Sequence, residues 1–212
     1  MIELKVDFNK SQYESLIKRL EMMATDKEID NAIKKAARKA ASEARKETLS
    51  LIPSAYTIPA SEVKSAIKVH ASRGSEPGAV MQITSGVFAL YEFEGVTPRE
   101  VMPPAKGPVR VSVKRDGGSE LGRAFVAKMK SGHTGVFERE GGKRASKDSH
   151  GRSFKSGDKA KQTWHINELY GPSVPGMFGN EKETPINAAV IKKTGELFSG
   201  LVIKELEGLL NG

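Results

Sequence analysis

Between Thr25 and Pro53 the chain repeats small apolar residues at helical spacing: Ile29, Ala32, Ile33, Ala36, Ala37, Ala40, Ala44 and Leu51. Alanines at that period leave one helix face almost without bulk, so the backbone must lie close to a sheet or a second helix to bury apolar area there. Thr25-Asp26-Lys27-Glu28 is a capping box, in which Thr and Glu side chains satisfy each other's orphan amides. Pro53 cannot continue the ladder and sets the expected end near Leu51. Lys34, Lys35, Arg38, Lys39, Arg45 and Lys46 surround the seam, several within helical reach of Glu43 or Glu47, the pattern of a solvated face rather than a nucleic-acid contact. This helix is the expected spine of the core.

The remaining elements arrange themselves around it. Ile2, Leu4, Val6 and Phe8 alternate with charged residues, the period of an edge or near-edge strand. Ser11-Gln12-Tyr13-Glu14 reads as a further capping box opening a helix to about Met23. A short helix capped by Ser61 leads into a strand at Ile67–Ala71, which returns as Ala79–Ile83 after a turn. Val87 to Phe93 is a further extended or irregular apolar run. Val109, Val111 and Val113 alternate as a strand, Asp116-Gly117-Gly118-Ser119 is a hairpin turn, and Phe125 to Met129 pairs with Thr134 to Arg139 across Ser131-Gly132-His133. Thr184-Pro185 announces a last amphipathic helix carrying Ile186, Ala189, Val190, Leu197, Leu201, Leu206, Leu209 and Leu210, with Gly195 and Gly200 as weak points. The expectation is α+β: a largely antiparallel sheet packed against the long N-terminal alanine-rich helix and the C-terminal amphipathic helix, with long loops, in a single domain over 1–212.

Composition narrows the function. With 38% apolar residues and no apolar run of about 18, no membrane helix is expected; the first residues lack the form of a signal peptide, so folding in the cytoplasm is expected. There is no cysteine, which removes thiolate nucleophiles and cysteine zinc sites. His70, His133, His150 and His165 occur singly, outside any metal-binding spacing, and neither a nucleophile elbow nor a phosphate loop is present. No enzymatic activity, metal or cofactor is expected. The net charge of +8 attracts polyanions, and half of that excess falls in one segment. From Glu140 to Gln162, Lys143, Arg144, Lys147, Arg152, Lys155, Lys159 and Lys161 face only Glu140, Asp148 and Asp158. With little apolar content, 140–162 reads as a mobile basic loop that is a solubilising excursion, a non-specific DNA contact or an arm ordering on an acidic partner. Leu169 to Phe178 differs: Pro172 and Pro175 stiffen it, while Leu169, Tyr170, Val174, Met177 and Phe178 offer apolar surface that either covers the chain's own sheet or docks on another subunit. Together with Phe125 and Phe137 of the hairpin, these residues form the expected partner interface.

Four stretches in order carry a resemblance: Ile58-Pro59-Ala60-Ser61-Glu62-Val63-Lys64, Gly95-Val96-Thr97-Pro98-Arg99, Ala124 through Arg139, and Ile166 through Pro175. They resemble the prophage minor tail protein Z family, from about residue 28 to the end and most densely between Ala124 and Phe178. The resemblance implies a structural tail protein of a bacteriophage or prophage, acting in virion assembly as a tail completion protein at the head-proximal end. It would join other tail and head-tail joining proteins around the DNA as a homo-oligomeric ring, be assembled in the bacterial host cytoplasm and reside in the virion tail, without membrane contact. The chain departs from the family pattern in the length of Glu140 to Gln162 and in the strand-like Ile2 to Phe8. The alternative reading from charge alone is a non-sequence-specific DNA-binding protein using a basic arm.

Overall fold

The computed structural model describes all residues except Met23, 73–76, 102–107, 145–163, 180–185 and 211–212. The chain is α+β, with helices and antiparallel strands, and it divides into two compact units. The first unit joins residues 1–86 to 173–212, and the second is 87–172.

In the first unit β1 (Ile2–Asp7) is followed by a 3-10 turn (Lys10–Tyr13), α1 (Glu14–Leu20), α2 (Asp26–Ala55), α3 (Ala60–Ala66), β2 (Ile67–Ala71) and β3 (Gly78–Ile83), and the chain returns to it in α4 (Val174–Gly179) and α5 (Ile186–Leu210). The sheet order is β1-β3-β2, all neighbours antiparallel, so β1 is an edge strand as its alternation predicts. Register stacks Ile2, Ile83 and Ile67 in one row and Leu4, Met81 and Val69 in another, while Glu3, Lys5, Asp7, Lys68 and His70 point outward and are exposed.

The capping box at the start of α2 forms as expected: the Thr25 amide donates to Glu28 Oε2 at 2.8 Å, and the Thr25 side chain accepts from the Glu28 amide. Ile29, Ala32, Ile33, Ala36, Ala37, Ala40 and Ala44 are all buried, and so are Ala41, Thr48 and Ile52. The buried residues fall into two ridges four residues apart, one from Ile29 to Ala41 and one from Ala32 to Ile52, because α2 packs on the β1-β3-β2 sheet and also on α5. Ion pairs set the direction of α5: Lys35 and Lys39, early in α2, meet Glu205, late in α5, and Glu47 meets Lys193 at 2.6 Å, so the two helices run antiparallel. Lys46 pairs with Glu43 within α2.

Several boundaries differ from the sequence reading. α2 passes through Pro53 to Ala55, because Tyr56 N–H still reaches the Ile52 carbonyl at 2.8 Å, Ser54 Oγ donates to the Leu51 carbonyl, and buried Ile52 and Tyr56 anchor the turn on both sides of the proline. The first helical segment is capped by Asn9, whose side chain accepts from the Ser11 amide at 3.2 Å, and Glu14 pairs with Lys18 instead of closing a box with Ser11. α3 begins at Ala60 with Pro59, not Ser61, at the cap. On α5 the buried ridge is Ile186, Val190, Thr194, Phe198, Val202 and Leu206; Ala189 and Leu197 of the expected stripe are exposed, since a ridge of residues four apart drifts round the helix away from them. Gly195 and Gly200 leave the helix unbroken. Thr184 and Pro185 lie outside the described residues.

The second unit comprises β4 (Val87–Ala89), a 3-10 turn (Leu90–Glu92), β5 (Gly95–Thr97), β6 (Val109–Ser112), β7 (Ser119–Leu121), β8 (Ala124–Lys128), β9 (Thr134–Arg144), β10 (Trp164–Glu168) and β11 (Tyr170–Ser173). They pair as β5-β6-β7, β10-β9-β8 and β11-β4. Phe93, Val96, Val109, Val111, Val126 and Val136 are buried here. Arg99 braces the loop after β5: its guanidinium lies 4.7 Å from the Tyr91 ring centre and donates to the Phe93 and Tyr91 carbonyls. The segment expected as a loop from Glu140 begins as strand, since β9 continues to Arg144 opposite Trp164 of β10; backbone pairing there overrides the lack of apolar side chains.

Candidate interaction surface

The β8–β9 hairpin turns between Met129 and His133, closed by the Met129 amide on the His133 carbonyl at 2.7 Å. Its pairing sets Phe125 opposite Phe137 and Ala127 opposite Gly135, while β10 sets Glu168 beside Phe137 and Ile166 beside Arg139. One face of this sheet therefore carries two aromatic rings, 6.3 Å apart between centres, under a polar cover. The Arg139 guanidinium lies 5.4 Å from the Phe125 ring centre, and the His133 ring meets Phe137 edge-on at 6.4 Å.

Glu168 ties that cover together. Its Oε1 lies 2.6 Å from His133 Nε2, and its Oε2 accepts the Tyr170 hydroxyl at 2.9 Å. The carboxylate is largely shielded, whereas the His133 side chain is half exposed and Tyr170 is 55% exposed. Because the neutral phenol donates to a carboxylate, and because that charge opposes a second negative charge beside it, Tyr170 ionises above its ordinary value. Gly135 makes the arrangement possible: a Cβ at that position would sit 2.5 Å from Glu168 Oε1 and 3.0 Å from the Phe137 ring.

The residues expected at a partner interface separate. Phe125, Phe137 and Tyr170 come together on this face through Glu168 and His133. The two phenylalanines are themselves buried, so the outward groups are Tyr170, Ile166 and His133. Leu169 and Pro172 are half-buried; the Leu169 amide donates to the Val136 carbonyl and its own carbonyl accepts the Leu90 amide. Val174, Pro175, Met177 and Phe178 do not present apolar surface: they are buried in α4. What reads as a proline-stiffened loop is a strand followed by a capped helical turn, with Ser173 Oγ accepting the Gly176 amide at 3.2 Å. Serine ahead of a first-turn proline was the available signal for that helix. Gly171 serves close packing, since a Cβ there would lie 2.5 Å from the Phe93 ring.

Glu168, Arg139 and Ile166 are contributors that the sequence reading passed over. Glu168 meets a histidine thirty-five positions away, and no local pattern encodes such a contact. Of the basic set, Lys143 and Arg144 stand on the far end of β9, while Lys147, Arg152, Lys155, Lys159 and Lys161 lie outside the described residues. Among the described residues no group of three His, Asp or Glu side chains is placed to hold a metal ion, and no helix is long and apolar enough to cross a membrane.

Comparison with known proteins supplies the class. The family model described as prophage minor tail protein Z (GPZ) matches residues 11–183. The chain belongs to the prophage minor tail protein Z family, and is thereby a phage tail structural protein. The match starts ahead of residue 28, where the resemblance was first legible, and it leaves out β1 and α5. No curated protein and no solved structure matches the chain.

Proposed function

We propose that this protein completes the head-proximal end of the tail and helps join tail to head around the DNA, several copies forming a ring in the virion tail after assembly in the host cytoplasm. The observation that carries this reading is the uneven charge of a family member. Sixteen of the 34 Lys and Arg and ten of the 26 Asp and Glu fall within 87–172, giving that unit +6 and leaving +2 for the rest of the chain. A subunit at the DNA passage needs such cationic surface on one part and a shaped contact for protein neighbours on another. Tyr170, Leu169 and Pro172, backed by Phe125 and Phe137, supply the protein contact; Val174, Pro175, Met177 and Phe178 act from beneath the surface by fixing the chain that follows. Lys143, Arg144, Lys147, Arg152, Lys155, Lys159 and Lys161 supply the contact to DNA or to an acidic neighbour. The test is electron microscopy of particles made with and without the protein. Tails that fail to join filled heads in its absence, and join when it is added back, are the expected result; particles that join and retain DNA equally well without it overturn the proposal.

The concentration of +4 within Glu140 to Gln162 also favours a second reading, non-specific DNA binding by the free protein. That reading expects duplex affinity falling steeply with salt and weakened by replacing these lysines. A flat salt response argues against it.

A further inference from the structure

The β1-β3-β2 sheet of the first unit has two edges, and they are finished differently. At β2 the Arg45 guanidinium donates to the Ile67 carbonyl at 3.1 Å and to the Lys64 carbonyl at 3.3 Å, closing the start of that edge. At β1, among the described residues, no hydrogen bond reaches the backbone from the side away from β3. β1 also lacks the usual protections of an edge. It has no proline, its register with β3 runs without a shift, and Glu3, Lys5 and Asp7 all stand on the outer face, leaving Ile2, Leu4 and Val6 uncharged on the inner one. The apolar rows end unfinished there: Ile83 and Met81 of β3 are fully buried, but Ile2 and Leu4, which continue their rows, are half-buried.

Such an edge takes up another strand, and the pattern of β1 selects which. Set antiparallel to itself about a two-fold axis at Leu4, β1 brings Ile2 against Val6 and Leu4 against Leu4 of the other copy, so both apolar rows run on across the junction. On the outer face the same register sets Glu3 against Lys5 on both sides of the axis. An axis at Lys5 instead sets Lys5 against itself and Glu3 against Asp7, and an axis at Glu3 sets Glu3 against itself, so like charges meet. An axis at Val6 pairs Lys5 with Asp7 but leaves only residues 5–7 of the strand in contact. We infer that β1 pairs with β1 of a second copy of this chain, in the register centred on Leu4, making one continuous antiparallel sheet from two molecules. The contact is isologous: each copy offers the same strand, so the pair closes on itself. It uses no residue of the β8–β10 surface and does not depend on the tail-end reading.

Sedimentation equilibrium and amide exchange of the full chain test this. A two-copy species should form as concentration rises, with protection gained at residues 2–6. Glu3→Lys or Lys5→Glu sets like charges against each other on both sides of the axis, and each should weaken the pair about tenfold, more at low salt than at high. Both side chains are exposed, so an unchanged unfolding midpoint verifies that each variant keeps its fold. Mixing the two variants, or combining both changes in one chain, puts opposite charges together again and should restore the pair. Asp7→Lys should leave it nearly unmoved, which distinguishes the Leu4 register from the one centred on Val6. A chain that stays monomeric at its highest soluble concentration overturns the inference, as does a pair indifferent to charge reversal at positions 3 and 5. Protection of the β1 amides that appears only in assembled tails, with the free chain monomeric, makes a different tail protein the occupant and likewise overturns the pairing of copies.

Discussion

Two glycines and a carboxylate show how single residues set this surface. Gly171 lies where any side chain would enter the Phe93 ring, and that ring is buried beyond adjustment. Gly171→Ala should therefore destabilise the protein by about 1–3 kcal/mol, the usual cost of overpacking, measured by denaturant unfolding. At Tyr170 the expected outcome concerns ionisation. The phenol donates to Glu168 only while it keeps its proton, so its raised pKa means that the contact persists to higher pH than a free tyrosine would allow and is lost as pH rises through the raised value. Phenolate absorbance, with Tyr170→Phe subtracted, should show a late-titrating tyrosine that moves back toward the ordinary value in Glu168→Gln. A curve that Glu168→Gln leaves unmoved would contradict the assignment. None of this was legible in the sequence. Gly135, Gly171 and Glu168 owe their roles to atoms brought close by folding, whereas His133 was visible only as a polar turn residue.

At the scale of the elements legibility was high where one period and one cap act together. The alanine seam and the Thr25–Glu28 box located α2 because both signals are local, and valines alternating at 109 and 111 located β6 for the same reason. α5 was found, but its buried stripe was misplaced: Thr194 and Phe198 lie in a ridge fixed by the partner helix, and hydrophobicity alone favoured Leu197. α4 was missed because its six residues are too short for a period to register. Thr25→Ala should cost about 1 kcal/mol in a thermal or denaturant melt through loss of the cap. The pairing of α2 with α5 carries a pH dependence. Hydrogen bonds from Lys35 and Lys39 hold the Glu205 carboxyl below its ordinary value. A carboxyl lowered in the folded state stabilises above its unfolded pKa, and the contribution disappears as pH falls through the lowered value. Glu205→Gln should therefore lose about 1–2 kcal/mol near neutral pH and converge with the parent in acid, as measured by unfolding midpoints at several pH values.

For the whole molecule the relevant fact is that the two units have different chain histories. One is continuous from 87 to 172; the other is made from both ends. Phe198→Ala, within the core shared by α2 and α5, should cost about 3–5 kcal/mol and raise amide exchange through α2 and α5. Equal loosening of β6, β8 and β9 would contradict the division into units. The same arrangement bears on synthesis. The seam of α2 is made more than a hundred residues before the helix that covers it, so a nascent chain carries an open strip of alanine and isoleucine until α5 leaves the ribosome. A product stopped before Ile186 should retain that strip uncovered, and limited proteolysis of such a truncated chain should cut within α2 where the full chain resists.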